Sequence, residues 1–308
     1  MLGLLRQQKV RDALAGLALL IATAGLVAAP GEAIAGAKDG LALCFNVIVP
    51  SLFPFFVLSS LVVDLGLAAY LGRALEGLMR PLFRVSGSCA AAVALGFIGG
   101  YPVGARTALQ LYQQGLCSKP EAERLLAFCN NSGPAFILGV VGAGIFGDSR
   151  VGFLLYLTHA LASLLVGLLF RFYGGTGRRQ SASPRPKPIQ AVTVPAAFTG
   201  AVVRSLQSTL NICAFVVFFS VVLQLLSVFG VFAALAELLA LAGFEPEWAQ
   251  RLVAGLLELS SGVSSLRGGT HLAGRVSMAA FMLGWAGLSV HCQVLSFLVD
   301  SGLSAKTY

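Results

Sequence analysis

The sequence predicts an all-α, polytopic membrane protein built from inverted repeats, with re-entrant helical hairpins and broken transmembrane helices. First, 57% of its 308 residues are hydrophobic and only 11% are charged, whereas a typical soluble domain has about 25% charged residues. Second, long apolar segments are interrupted at their centres by polar breaks that contain glycine and proline. Third, the order of the segments in the first half recurs in the second half, which indicates an internal repeat.

The charge pattern fits a lipid bilayer and argues against a nucleic-acid partner. The net charge of +8 comes from basic residues that flank apolar segments, as the positive-inside rule expects, and no basic run is interleaved with aromatic residues. The six cysteines are scattered without a CxxC pair. A lone cysteine in an apolar segment usually acts as a small hydrophobic side chain. We therefore expect neither a metal site nor a disulfide.

Basic residues before the first apolar segment place the N-terminus in the cytoplasm. Residues 4–35 also resemble a signal peptide that ends in AIA. An uncleaved transmembrane helix within 1–35 is the simpler interpretation, because the rest of the chain is also membrane-embedded. The spans predicted for the first half are 13–30, 46–66, 125–146 and 151–173, with a short interfacial segment at 36–45.

Two breaks in the first half indicate a binding site. Residues 87–116 are apolar but contain GGYPVG at their centre, and each arm of ~11 residues would be roughly 16 Å long, about half a bilayer core. We predict a re-entrant hairpin here. The span at 125–146 is broken by CNNSGP. A helix gives up backbone hydrogen bonds in a membrane only where protein or a water-filled cavity satisfies them.

The second half repeats this plan after a polar, basic linker at 174–195, predicted to be cytoplasmic. The first repeat is assigned to 36–173 and the second to 196–308. GLLELSSGVSSL (255–266) takes the place of the first hairpin, and MLGWAGLSVHCQVL (282–295) takes the place of the broken span. Three predicted crossings separate the starts of the two repeats. An odd number inverts the second repeat, an arrangement found in secondary transporters.

The candidate site residues are polar groups predicted to lie at mid-membrane. A charge there costs roughly 2.5–3.5 kcal/mol on insertion scales, so it must face a cavity or a partner. An Arg–Glu pair that clamps the hairpins, and a kink repaired by asparagine amides, are the structural alternatives. The predicted solute-binding residues are Gly100, Tyr101, Pro102, Arg106, Asn130, Asn131, Ser132, Ser260 and Ser261. Glu258, Arg267 and His291 are predicted to couple or gate transport.

No catalytic motif accompanies these residues. The sequence has no HExxH, no GxSxG and no Walker loop, so an enzyme is not expected. Pro134 starts a new half-helix whose free N–H groups would attract a carboxylate or a phosphate. No cofactor is predicted. A coupling ion, Na⁺ or H⁺, is left open for Glu258, since its carboxylate could coordinate sodium or accept a proton.

Five segments in order resemble the YlbJ-type sporulation integral membrane proteins. The segments are NVIVPSLFPFFVLS, RPLFR, GGYPVGA, EAERLLAFCNNSGPAFILG and GLLELSSG. This family lies within the broader nucleoside-recognition, or Gate, domain group, and the resemblance covers roughly 40–300. Such proteins usually have one more membrane helix after the last motif. This leaves open whether the chain is truncated after Tyr308.

The resemblance implies transport of a small anionic or planar solute late in spore formation, with dipicolinic acid as the leading candidate. It also implies a multi-pass protein of the cell membrane, in the mother-cell or outer forespore membrane. Two alternatives stay open: a non-transporting scaffold for assembly of the spore cortex and coat, and a nucleoside transporter. The expected partners are the solute and the lipid bilayer. Whether the protein forms a homo-oligomer is left open.

Overall fold

The computed structural model describes residues 2–174, 194–243, 245–268 and 271–308, and all regular elements in these ranges are helical. Two π-helices, Cys44–Ile48 and Ala135–Phe146, and two 3-10 turns, Gly87–Cys89 and Ala305–Thr307, accompany the α-helices. The α-helices are α1 (Leu2–Ala28), α2 (Pro30–Leu43), α3 (Val49–Asp64), α4 (Leu67–Phe83), α5 (Ala90–Gly99), α6 (Val103–Gln113), α7 (Lys119–Leu126), α8 (Ser149–Phe170), α9 (Val194–Val228), α10 (Val231–Leu241), α11 (Pro246–Leu257), α12 (Leu259–Ser264), α13 (Leu272–Trp285) and α14 (Gly287–Leu298).

The helix lengths confirm the prediction of a helical membrane protein with broken spans. Three helical stretches are long and apolar enough to cross a bilayer: Ser149–Phe170, Val194–Val228 and Leu272–Leu298. Two further spans are obtained if bent pairs are each counted once: α1 with α2, bent by 99°, and α4 with the helix that follows it, bent by 91°. On α8, large apolar side chains including Phe153, Leu161 and Leu169 are exposed, as lipid-facing residues are.

Helix α2 continues through the first π-helix into α3, and this path packs along α9. A Cβ on Gly36 would lie 3.1 Å from Val221 Cα, and one on Gly40 would lie 2.8 Å from Val217 Cα. Further along, Cys44 Sγ donates to the carbonyl oxygen of Cys213 at 3.7 Å. The residue numbers rise on one helix as they fall on the other, so the helices are antiparallel. The path from α2 to α3 in the first half and α9 in the second half therefore run in opposite directions, as an inverted repeat requires.

Residues 36–45, predicted to form a short interfacial segment, are part of this long helical path, and their position at the membrane interface stays a prediction. Gly36 and Gly40 are buried against α9, whereas Lys38 and Asp39 between them are exposed. The two charged residues interrupt the apolar run in the sequence. They occupy the helix face turned away from α9, and the small residues of the opposite face make the close contact.

Each half contains two short helices that cross at glycine. In the first half α5 and α6 form the predicted hairpin, and a Cβ on Gly96 would lie 3.1 Å from Gly104 Cα. In the second half α11 and α12 meet in the same way, since a Cβ on Gly262 would overlap Gly255 Cα. The absence of side chains lets the two arms of each pair touch through their backbones.

The predicted repeat boundaries at 36–173 and 196–308 stay predictions, although the helix order is the same in both halves. The predicted cytoplasmic linker at 174–195 falls largely outside the described residues, which omit 175–193. The described residues continue with α9, which begins at Val194.

Candidate functional site

Three interruptions of the helices, two from the first half and one from the second, line one cavity of about 100 Å³, called the central cavity here. Its polar lining comes from these breaks and from Gln293 of α14, and its apolar lining comes mainly from α3 and α9. The lining residues are Ile48, Leu52, Phe55, Gly99, Gly100, Tyr101, Ser132, Gly133, Ala135, Phe136, Ile212, Val216, Glu258, Leu259, Ser260, Val290 and Gln293.

The two breaks of the first half touch through their backbones. Gly100, at the tip between α5 and α6, has a φ of +83°, and a Cβ there would lie 2.9 Å from the backbone nitrogen of Gly133. Gly133 belongs to the break that precedes the π-helix Ala135–Phe146. A side chain at either glycine would separate the two breaks. The GGYP and NNSGP motifs thus form one continuous wall of backbone.

The two breaks of the second half make the equivalent contact. Glu258 separates α11 from α12, and a Cβ on Gly287 at the start of α14 would lie 2.9 Å from the backbone nitrogen of Leu259. Gly287 has a φ of +83°, a conformation that glycine adopts at no steric cost. The structure therefore brings the predicted breaks together in pairs, one pair from each half.

Glu258 is only 4% exposed and caps α12. Its carboxylate accepts the backbone N–H of Ser260 at 3.0 Å and that of Ser261 at 2.7 Å. Two backbone donors satisfy one buried carboxylate, and a buried charge needs such hydrogen-bond partners. Ser260 also lines the central cavity, so the cap and the cavity wall are the same group of atoms.

Three other helices begin near the cavity without a side-chain cap. The π-helix begins after Pro134, α6 begins after Pro102 and α14 begins after Ala286, and no side chain of the described residues caps their first N–H groups. Helix N-termini have free N–H donors and a partial positive charge, and both favour an anion. Of these three starts, the one at Ala135 lines the cavity, and the Val103 N–H of α6 donates to the Gly100 carbonyl oxygen. The site therefore combines one fixed carboxylate with one helix end that no side chain caps.

Tyr101 ties the first hairpin tip to the second half. Its hydroxyl donates to the carbonyl oxygen of Leu283 at 2.6 Å, near the end of α13, where the last carbonyls of a helix lack intrahelical donors. Its ring is edge-on to His159 of α8, with ring centroids 6.5 Å apart. His159 Nε2 accepts the backbone N–H of Ser132 at 3.0 Å. The imidazole therefore holds the second break in place.

We expect Tyr101→Phe to lower the free energy of unfolding by about 1 kcal/mol, the usual contribution of a hydrogen bond. The phenyl ring keeps its shape, but the Leu283 carbonyl loses its donor. Thermal unfolding of the detergent-solubilised protein measures this change. Tyr70→Phe is the matched control, since the Tyr70 side chain is 64% exposed. Equal melting temperatures for the two variants would contradict the assignment.

The two asparagines of the second break do not line the central cavity. Asn131 is 3% exposed, and its Nδ2 donates to the carbonyl oxygen of Phe128 at 2.9 Å. This bond repairs the backbone of the break, as the structural alternative expects. Asn130 Nδ2 donates to the Tyr308 hydroxyl at 3.3 Å, while its Oδ1 is buried and accepts no hydrogen bond from the described part of the chain.

The predicted charged and histidine residues lie apart from Glu258. Arg106 lines a different cavity, with its guanidinium 4.9 Å above the Phe56 ring. Arg267 is exposed after α12. His291 packs edge-on between Trp285 and Tyr308, at centroid distances of 4.6 Å and 5.4 Å. The sequence pattern predicted one shared site for these groups, because hydropathy indicates how deep a residue lies in the membrane but not which way its side chain points.

The predicted solute-binding residues thus fall into two groups. The first group lines the central cavity: Gly100, Tyr101, Ser132 and Ser260, with Glu258 among the coupling residues. The second group does not line it: Pro102, Arg106, Asn130, Asn131 and Ser261, with Arg267 and His291. The roles of all of them in solute binding or coupling stay predictions.

Sequence reasoning missed the apolar side of the cavity. Leu52 and Phe55 of α3 line it together with Ile212 and Val216 of α9. The signal was present, since these residues lie on the segments at 46–66 and 211–230 that correspond in the two halves. Their ordinary apolar composition distinguishes them in no way from lipid-facing residues. Among the described residues, no three His, Cys, Asp or Glu side chains lie close enough to hold a metal ion.

The fold and the cavity define a polytopic, helical membrane protein whose halves each contribute broken helices to one site. The chain belongs to the YlbJ family of sporulation integral membrane proteins. It is 33% identical over 324 residues to the sporulation integral membrane protein YlbJ of Bacillus subtilis (strain 168), covering 97% of this chain and 79% of the relative. Residues 45–170 match the family model Gate, described as nucleoside recognition. No solved structure matches the chain.

These matches confirm the predicted family and place the protein in a membrane. They point to a membrane transport or structural role rather than to catalysis. The Gate match ends at the last residue of α8, so it covers the first hairpin and the NNSGP break but not the second half. The corresponding breaks of the second half are identified by their contacts around the central cavity.

Proposed function

We propose that this protein is a permease that moves a small, planar or anionic solute through the central cavity during spore formation, with dipicolinic acid as the leading candidate. The observation that supports this most is that three helix breaks, from both halves, line that cavity, while the fourth packs on Leu259 in its wall. Broken helices from two inverted halves that meet at one site are the architecture of many secondary transporters.

The cavity has the chemistry that such a solute requires. The helix end at Ala135 lines the cavity without a side-chain cap and would supply a backbone N–H donor for a carboxylate. Phe55 and Phe136 supply flat apolar surface for an aromatic ring. A planar dicarboxylate fits both features. A nucleoside, which the name of the Gate family suggests, fits the aromatic walls but has no negative charge for the helix ends.

Glu258 is the proposed coupling group. Its carboxylate occupies the N–H groups of Ser260 and Ser261 and lies at the wall of the cavity. An anionic solute in the cavity and the ionised carboxylate repel each other. A proton or Na⁺ that neutralises Glu258 would therefore favour solute binding, which couples the two fluxes.

Uptake by proteoliposomes tests the proposal. We expect accumulation of radiolabelled dipicolinate, stimulated by a proton or Na⁺ gradient, and little accumulation of uridine or adenosine. Vesicles that contain protein with the Glu258→Ala substitution serve as the matched control for leak. Uptake of nucleosides alone would assign the solute to the other class, and uptake of neither would favour the scaffold function.

The scaffold and the permease differ in the role of the linker, which would recruit partner proteins in a scaffold. In the proposed orientation the N-terminus and residues 174–190 are cytoplasmic and the protein lies in the mother-cell or outer forespore membrane. A permease needs this linker only as a connection. Deletion of 176–188 should therefore leave dipicolinate accumulation by the spore largely intact. Loss of a normal spore envelope on this deletion, together with no uptake in vesicles by the unmodified protein, would contradict the permease assignment and support the scaffold.

A further inference from the structure

A second cavity of about 360 Å³, called the distal cavity here, lies along α6 from Arg106 to just beyond its C-terminal end. It is polar where the central cavity is largely apolar. The two linings have no described residue in common. The lining residues of the distal cavity are Asp64, Arg106, Leu109, Gln110, Gln113, Gln114, Arg204 and Phe297.

The lining of this cavity already binds one carboxylate, that of Asp64. Its Oδ1 accepts the side-chain amide N–H groups of two glutamines, from Gln110 Nε2 at 3.0 Å and from Gln114 Nε2 at 3.1 Å. Its Oδ2 accepts from the guanidinium of Arg204 on α9. Two neighbouring helices thus bind one carboxylate through both of its oxygens, and the guanidinium makes the strongest type of contact.

Arg106 adds a donor that has no acceptor. Its Nη2 donates to the backbone carbonyl oxygen of Arg204 at 3.1 Å. Its Nη1 is buried and has no hydrogen-bond partner among the described residues. A buried donor without an acceptor is costly, and a guanidinium keeps its charge in a protein. The lining of the cavity contains two guanidinium groups and one carboxylate, so it has an excess of positive charge.

We propose that the distal cavity is a second anion-binding site, which takes the carboxylate group of a small organic acid between the side chains of Arg106 and Gln113. Gln113 lines the cavity, and its side chain is a donor that Asp64 does not use. A planar carboxylate accepts two parallel N–H bonds from one guanidinium, which favours arginine at such a site.

The two cavities are lined by successive parts of one segment. The tip that ends at Tyr101 lines the central cavity, and α6 lines the distal cavity from Arg106 onward. The buried ring of Phe56 lies under the Arg106 guanidinium. The place of the distal site on the solute's route rests on the proposed permease function, whereas its capacity to bind an anion does not.

Equilibrium dialysis of the purified, detergent-solubilised protein with radiolabelled pyridine-2,6-dicarboxylate tests this site by stoichiometry. We expect two molecules per chain. Arg106→Gln should weaken one of the two sites by about tenfold or more, the effect of losing one hydrogen bond to a charged group. Phe136→Trp, which fills the central cavity, should remove the other. Arg251→Gln, which lines neither cavity, should bind as the unmodified protein does.

Asp64→Asn separates this proposal from a simple folding defect. It removes the carboxylate that occupies Arg204 and adds to the positive excess, so binding at the distal site should become tighter. Weaker binding in this variant, with an unchanged elution profile, would overturn the proposal.

The stoichiometries also separate this proposal from the proposed function. One molecule per chain that is insensitive to Arg106→Gln would overturn the distal site and keep the central one. One molecule that is lost in Arg106→Gln but kept in Phe136→Trp would support the distal site and overturn solute binding in the central cavity. No binding in any variant would overturn both.

Discussion

Replacement of Glu258 by glutamine is expected to abolish solute accumulation while leaving most of the protein folded. Glutamine keeps the size of the side chain but offers one acceptor oxygen where the carboxylate offers two. One of the two N–H groups of Ser260 and Ser261 then loses its acceptor, at a cost of about 1 kcal/mol in the stability of the cap. Because the amide can neither be protonated nor bind Na⁺ as a carboxylate does, coupling should be lost.

Uptake by proteoliposomes reconstituted at equal protein density measures the effect. We expect accumulation to fall to the level of vesicles without an ion gradient, because the amide cannot take up and release a proton or Na⁺. Glu247→Gln is the matched control, because the Glu247 side chain is 69% exposed and pairs only with Arg251 one turn away among the described residues. Normal gradient-driven uptake by the Glu258→Gln protein would remove Glu258 from the coupling mechanism.

A methyl group added at Gly104 is expected to be among the most destabilising small substitutions in the chain. Its Cβ would overlap the carbonyl oxygen of Cys129 and lie 3.0 Å from Gly96 Cα. Backbone atoms surround the position, so no flexible side chain can move aside. We expect Gly104→Ala to cost about 3 kcal/mol or more, at the upper end of overpacking penalties, and to separate the hairpin from the NNSGP break.

Thermal unfolding and membrane yield measure this loss. A decrease in melting temperature of roughly 2–4 °C per kcal/mol is expected for a chain of this size. Gly139→Ala is the matched control, since a Cβ at Gly139 in the π-helix would meet nothing within 4 Å. If the two variants unfolded at the same temperature, the close contact of α6 with Cys129 would be disproved.

The helix breaks were predictable from the sequence because glycine, proline and paired polar residues together interrupt an apolar helix. GGYP and NNSGP lie where the helices of the first half end, and ELSSG and GWAGLS lie where their counterparts end. The depth of Glu258 was also predictable, since it is the first residue of the ELSSG break. Its two N–H partners were not, because N-capping depends on backbone angles that the sequence pattern does not determine.

Other features could not be predicted because hydropathy says little about rotation around a helix axis. Arg106 lies only a few residues beyond Tyr101 in the chain, yet it points to the distal cavity and away from Glu258. Lys38 and Asp39 interrupt the apolar pattern of α2, although the other face of this helix packs closely on α9. In both cases the contact that decided the structure came from the opposite half of the chain, where no local pattern marks it.

The glycine contacts between α2 and α9 bear on which parts of the molecule can move. Gly36 and Gly40 bring the two backbones so close that neither helix can slide or rotate without a clash. The pair is therefore a fixed frame shared by both halves. Any transport cycle must leave this frame unchanged and shift the short helices around the central cavity. The hydrogen bond from the Tyr101 hydroxyl to the Leu283 carbonyl oxygen then has to break and form again in each cycle.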